Sequence, residues 1–290
     1  MRVKFKDNAL DEKFEKDGYI VIPNCVNAEQ VTKMRQVLRD YSTTFEYDKG
    51  ILNTLLLKDN DLRIKISEGL MEQINPSIDK IFFERLPFYG YSLIKPTSQN
   101  TFTLHRDAST VNEDLFEYIT IWLPLVNVTQ SNGCMYVIPG SQKLFTSEVP
   151  FGVEWPYPHL AETLKKYAID LPMKAGDLLL FSDKTLHGSY PNQSQDLRPV
   201  VSSVLIHPDT EMLFYYYNKD NNLVKAYEVD PWFYFRNEYD EPVGKYPLKK
   251  SFAFNPPLVS LNDIKDFFVK NPVKTKSSFS FLRKFGINLW

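Results

Sequence analysis

Residues 118–138, YITIWLPLVNVTQSNGCMYVI, hold two runs dense in β-branched and aromatic side chains, joined by the turn-forming triplet Ser131-Asn132-Gly133. They predict strands within Tyr118–Val128 and Cys134–Ile138. Moving downstream, Ala175-Gly176-Asp177 turns into a third apolar run, Leu178–Phe181, and Val200–Ile206 makes a fourth. Upstream, this β-rich texture begins at about Tyr89. The residues before it read as helices with one strand: Leu10 and Phe14 lie one turn apart, and Gly18 ends that helix. Tyr19–Ile22 then forms a short strand closed by Pro23. Asn27 with Gln30 resembles a capping box ahead of Val31, Met34, Leu38 and Tyr41, and a further amphipathic helix is predicted over about 61–73. Helices first and many short strands afterwards predict an α+β chain whose β part is a sandwich or barrel.

At 290 residues the chain fits one large domain, 1–290. Its 34 basic and 36 acidic side chains give a formal charge of −2, so no global field recruits nucleic acid or an anionic membrane. Cys25 and Cys134 are too few and too far apart for a disulfide framework, which suits a reducing compartment. The N-terminal stretch meets charge or amide every few residues and never builds the apolar run of a signal peptide. Nor does any run of about 18 apolar residues occur. A cytoplasmic protein, monomer or homodimer, is expected.

Four histidines are present, at 105, 159, 187 and 207. In His105-Arg106-Asp107 an imidazole and a carboxylate stand two residues apart, and on a strand that spacing points both to one face. Taken alone the pair is unspecific. His187 follows the strand at Leu178–Phe181, and a ligand from so distant a strand is how a barrel closes a site of two histidines and one carboxylate, the set that holds non-haem iron(II). Arg198 opens the next strand, where a buried guanidinium needs an anion and its two-pronged donor suits a carboxylate. The same residues also fit unrelated core and surface positions, with Arg198 pairing Asp196. His159, in the proline-flanked segment Pro156-Tyr157-Pro158-His159, fits a loop pointing into the substrate channel but reads more readily as solvent-facing or locally bonded, and His207, at a strand end before Pro208, reads the same way. Cys134 reads as a packed, inert thiol.

Taken in order, DGYIVIP (17–23), the capped helix, HRDAS (105–109), WLPLVNVTQSNGCMYVIPGSQK (122–143) and KAGDLLLFSDKTLHGS (174–189) with Arg198 resemble the phytanoyl-CoA dioxygenase family over about residues 10–206. The strand ending NGC-x-x-x-IPGS is the specific element. The resemblance implies a double-stranded β-helix, a jelly roll like that of the cupins, with flanking N-terminal helices. It implies His105, Asp107 and His187 as iron(II) ligands and Arg198 as the group binding the 5-carboxylate of 2-oxoglutarate, with dioxygen as the third reactant. Ser189 matches a position touching that carboxylate, Trp122 an aromatic wall of the pocket, Tyr91 a further co-substrate contact and Lys49 another. Gln142 departs from the histidine frequent at its position, which belongs to a turn and not to the ligand set.

The reaction so implied is hydroxylation of an unactivated C–H bond in a small molecule, or in a carrier- or peptide-bound residue, with release of succinate and CO2. Halogenating relatives carry a small residue in place of the aspartate, so Asp107 favours hydroxylation, with desaturation and ring formation still open. A binding protein without turnover and a cupin-like metal lyase or isomerase are the alternatives, the latter having no use for a carboxylate clamp of Arg198 and Ser189. Residues 207–290 match nothing in the family. Their aromatics, from Tyr215 to Tyr239, fit core packing with an edge hairpin, or else a substrate lid or subunit contact. Substrate selection is expected there and in the loop from about 144 to 167.

Overall fold

A computed structural model describes residues 1–45, 50–86, 89–98, 100–237 and 239–272. The N-terminal elements form for local reasons. Asp7 accepts hydrogen bonds from the first free amides of α1 (Asn8–Asp17), and Gly18, at φ 76°, closes the helix by donating to the Phe14 carbonyl. Then follow β1 (Tyr19–Ile22) and α2 (Ala28–Asp40), whose capping box is made by Asn27 and Gln30 as the spacing predicts. Next come β2 (Leu52–Asn53) and α3 (Asn60–Ile81).

Helix α3 runs past the predicted end and straight through Pro76. Both Pro76 and Glu72, whose carbonyl loses its partner, face solvent, while Ile74, Ser77 and Ile78 are buried and Ser77 donates to the Cys25 carbonyl. Burial of that face, with water serving the freed carbonyl, outweighs the cost of an interior proline.

The strands that follow are β3 (Gly90–Lys95), β4 (Phe102–His105), β5 (Ile119–Pro124) and β6 (Met135–Val137). After the short helix α4 (Ala161–Lys165) come β7 (Ile169–Leu171), β8 (Leu178–Ser182), β9 (His187–Ser189) and β10 (Arg198–Leu205). They make two antiparallel sheets, one ordered β1-β8-β5-β10-β3-β2 and the other β4-β9-β6-β7. Strand alternation decides what each face meets. On β5, Ile119, Ile121 and Leu123 pack with Met34, Ile66, Leu70 and Ile74 of α2 and α3, whereas Trp122 turns inward to join Leu179, Phe181 and Val200 against Met135, Val137 and Leu171 of the other sheet. This is the expected α+β architecture, a jelly-roll core with helices on one face. Strand β5 stops at Pro124, short of the predicted Val128, because the chain bends there to bridge Val128 to Met173.

Beyond the barrel, β11 (Leu213–Asn218), β12 (Leu223–Glu228), α5 (Phe233–Arg236), β13 (Leu248–Ala253) and α6 (Leu261–Lys270) follow. The three strands form a separate sheet, and Phe214, Tyr227, Phe233 and Tyr234 are buried with Phe116, Tyr118 and Ile206 of the barrel. Core packing with a hairpin therefore describes most of these aromatics. Among the described residues no helix is long and apolar enough to cross a membrane.

Gly176 joins α2 to the barrel. At φ 88° its amide donates to Pro124 and its carbonyl accepts from Val26, and a Cβ there would run into the Val26 carbonyl oxygen. Gly152 has φ 74° but open space around it. Gly176→Ala should therefore cost clearly more than the ~1 kcal/mol expected of Gly152→Ala, and chemical denaturation of the two variants beside wild type checks the order.

Candidate metal centre

His105 ends β4, His187 begins β9, and the two are directly paired across the ladder. Each ring nitrogen Nδ1 sits against the carbonyl two residues earlier, 2.7 Å from Thr103 O and 2.9 Å from Thr185 O. Those carbonyls accept the Nδ1 proton and leave both Nε2 lone pairs free. Burial, and after it the neighbouring His105, lowers His187 to about 4, so it is neutral at physiological pH.

Asp107 completes the set, although strand alternation does not aim it. Strand β4 stops at His105, and Asp107 lies in the loop beyond. There its amide donates to the Asp183 carbonyl at 3.1 Å and its Oδ2 accepts from Thr120 Oγ at 2.7 Å, while Oδ1 lies 3.6 Å from His187 Nε2. Between the two residues, Arg106 turns away into the protein, donating to Glu113 at 2.5 Å and to the Ser147 carbonyl at 2.8 Å, with Asp183 at 3.5 Å. One ligand atom from each of His105, Asp107 and His187 lies within 4.8 Å of the others, the one such group among the described residues. Two imidazoles and a carboxylate fit a borderline divalent ion and leave coordination positions open.

A second polar centre lies further along the same interior. Arg198 is 1 % exposed, and its Nε and Nη1 have no hydrogen-bond partner among the described residues. Asp196 is not its partner; that residue is exposed and offers only its carbonyl, to Asn192 and Ser194. Directly across the β10–β3 ladder stands Lys95, fully buried, and no described carboxylate lies within ion-pair distance of either cation. Lys95 Nζ donates to Ser189 Oγ at 2.8 Å and to the Tyr190 carbonyl at 2.7 Å. The Trp122 ring centroid is 5.6 Å from the Arg198 guanidinium carbon. Gly133 has φ 91°, and a Cβ there would run into the Tyr190 carbonyl oxygen at 2.9 Å and lie 3.3 Å from Lys95 Cδ and 3.5 Å from Arg198 Nε, which accounts physically for the glycine in NGC. Burial, with Arg198 second, lowers Lys95 to about 7, and burial lowers Arg198 to about 10, still a cation at neutral pH.

Arg198, Ser189 and Trp122 thus come together, and Lys95, which sequence reasoning missed, joins them. Its signal was available in the alternation of β3, where Ile94 packs toward the helices and Leu93 joins the barrel interior. Tyr91 shares the inner face but stands at the metal end: burial and then the Asp107 charge raise its phenol to about 12. Lys49 lies outside the described residues. Gln142 donates to the carbonyls of Glu15 and Lys16, tying the PGSQK turn to α1 as a structural position should. His159 is exposed, and His207 accepts from the Asp209 amide. Burial pushes the Cys134 thiol up to about 12, consistent with an inert packing residue.

The phytanoyl-CoA dioxygenase (PhyH) family model matches residues 14–200. A Caenorhabditis elegans protein named "Probable phytanoyl-CoA dioxygenase" is 24 % identical over 226 residues, 65 % of this chain and 72 % of that protein. An ectoine dioxygenase of Stutzerimonas stutzeri is 26 % identical over 257 residues, covering 75 % and 78 %. Among solved structures, EctD from S. alaskensis with 2-oxoglutarate and 5-hydroxyectoine shares the fold at TM-score 0.52 and 19 % identity, over 80 % of this chain and 84 % of that one. The epimerase SnoN from nogalamycin biosynthesis does so at 0.51 and 19 %, over 86 % and 98 %. Matched by the family model over more than half of its length, the chain belongs to the phytanoyl-CoA dioxygenase family.

Proposed function

We propose that this chain is an iron(II)- and 2-oxoglutarate-dependent oxygenase that hydroxylates an unactivated C–H bond of a small molecule, or of a residue held on a carrier or peptide. The observation that carries this reading is the presence on one barrel interior of a three-residue cluster fit for a metal and, beside it, buried cationic side chains with no counter-charge among the described residues. A metal alone would explain the first, and only an anionic partner explains the second. Relatives support it, an ectoine dioxygenase in sequence and, in fold, the EctD structure holding 2-oxoglutarate.

Iron held by His105, Asp107 and His187 would couple decarboxylation of 2-oxoglutarate, to succinate and CO2, to oxygenation of the substrate by O2. The rest is done by side chains. The Thr103 and Thr185 carbonyls orient the imidazoles, and Thr120 holds one oxygen of Asp107 so that the other faces the histidines. Arg198 takes the distal carboxylate and Trp122 walls the pocket against water. Tyr91 lies between this pocket and an aromatic group of Tyr89, Tyr234 and Tyr239. Phe151, from the loop after 144, stacks on Tyr239 of the C-terminal region with centroids 4.2 Å apart. The two segments expected to select substrate therefore meet in one contact, which we read as the substrate-facing wall.

Three outcomes test this. His187→Ala should lose iron(II) affinity by more than ~100-fold in an anaerobic titration while its circular dichroism is unchanged, since loss even of an outer partner costs 10–100-fold. Retained affinity removes His187 from the ligand set. Arg198→Ala should raise the 2-oxoglutarate constant by roughly 30-fold or more, because losing a buried charged partner costs about 2–5 kcal/mol, with iron affinity little changed. A 2-oxoglutarate constant unchanged in Arg198→Ala would remove Arg198 from the carboxylate site, and a wild type that releases no succinate would favour the lyase-like reading. Tyr239→Ala should alter which compounds stimulate succinate release in a screen of amino acids, peptides and acyl thioesters, and leave the 2-oxoglutarate constant within about 2-fold.

A further inference from the structure

We propose that Lys95 is a positioning residue for the co-substrate: acting through Ser189, it makes the barrel select an oxo acid with a second, distal carboxylate. The proposal rests on the 2-oxoglutarate reading above and concerns how that anion is recognised.

A serine side chain has a single O–H to donate and lone pairs to accept with. Lys95 Nζ, which as an ammonium can only donate, occupies an acceptor position of Ser189 Oγ at 2.8 Å. The Ser189 proton is thereby released to point elsewhere, and the charge of the donor strengthens whatever bond it makes. Ser189 lies on β9 two residues after His187, so its neighbours on the interior are the metal ligand and the Lys95–Arg198 pair. The Tyr190 carbonyl takes a second ammonium proton at 2.7 Å and fixes the direction of the chain.

The energetics point the same way. A lysine side chain with no exposure and no described acid within reach is costly to keep, and a structural lysine is ordinarily paired. Here it stands opposite a second unpaired cation, and Gly133 packs against both side chains at once. Arg198 repels the protonated form of Lys95, which burial already disfavours. One carboxylate placed between Arg198 and Ser189 relieves that repulsion for both, so binding energy is concentrated on the distal end of the ligand.

The test is equilibrium binding under anaerobic conditions to the iron(II)-loaded full chain, using 2-oxoglutarate and 2-oxopentanoate, its analogue lacking the distal carboxylate. Wild type should prefer 2-oxoglutarate. Lys95→Met should weaken 2-oxoglutarate by about 10-fold or more and change 2-oxopentanoate by less than about 2-fold, so that the discrimination itself falls. Lys95→Gln, uncharged but able to donate to Ser189, should lie between, and Ser189→Ala should lose a similar factor. Combining Ser189→Ala with Lys95→Met should add little to either, because both break one path. Undiminished discrimination in Lys95→Met, equal loss of both ligands, or full additivity with Ser189→Ala would each overturn the proposal. Should Lys95→Met fail to fold, Lys95→Gln and Ser189→Ala carry the same comparison. A wild-type protein without preference for 2-oxoglutarate would instead overturn the oxygenase reading.

Discussion

A guanidinium carried into the middle of a barrel constrains everything placed around it. Arg198 arrives there because β10 alternates: Val201 and Leu205 must face the helices, so Arg198 and Val200 face inward. Moving it outward by one register step would bury the charge among aliphatic side chains of α2 and α3, a far worse environment. The interior is fitted to it instead. Trp122 offers a ring face, Gly133 withholds a side chain, and Asn192 anchors the neighbouring loop by donating to the Lys95 and Asp196 carbonyls. Among the described residues this surround holds no negative charge, and that deficit is what a merely packed barrel would not leave.

The metal end obeys a different constraint. Its three candidate ligands come from two paired strand ends and one loop, and the loop has to be as well fixed as the strands. Arg106 does this from behind. Its guanidinium is held by Glu113, by Asp183 and by the Ser147 carbonyl, while Lys184 approaches Glu113 at 3.6 Å. Burial, then Glu113, raises Asp183 well above the ordinary carboxylate range, and the same residue uses its backbone carbonyl to hold the Asp107 amide. A buried ionic network is a poor source of net stability. Its use here is geometric, fixing the backbone on both sides of a ligand.

Local chemistry made much of this visible in the sequence. Strand β1 was readable to the residue because Gly18 and Pro23 bracket it, and the capping box at Asn27 and Gln30 announced α2. The grouping of His105, Asp107 and His187 and the burial of Arg198 were legible through motif order. What escaped depends on contacts distant in sequence. Pro76 looks like a stop, and only the burial of Ile74 and Ile78 carries α3 through it. The two-residue spacing of His105 and Asp107 suggested a shared strand face, whereas a loop held by Thr120 and Asp183 delivers the carboxylate. Lys95 looked like any lysine before a proline until its strand was paired with β10. The C-terminal sheet was obscured because LFYYYN has no polar alternation from which to read a face.

The order of strands in the barrel also has a temporal meaning. In the six-stranded sheet only β2 and β3 are both adjacent and consecutive, and β1 must wait for β8, with Tyr19 meeting Phe181. Sheets built from such remote partners form slowly, since each pairing must first close a long loop. The C-terminal sheet is the opposite case, with β11, β12 and β13 pairing only in sequence. During synthesis the barrel's first strand therefore emerges long before its partner, while the last sheet can assemble as soon as it appears. Its buried tyrosines and phenylalanines then find a docking surface only on a barrel that has already closed, so late mutations in that sheet would register as failures of docking rather than of barrel assembly.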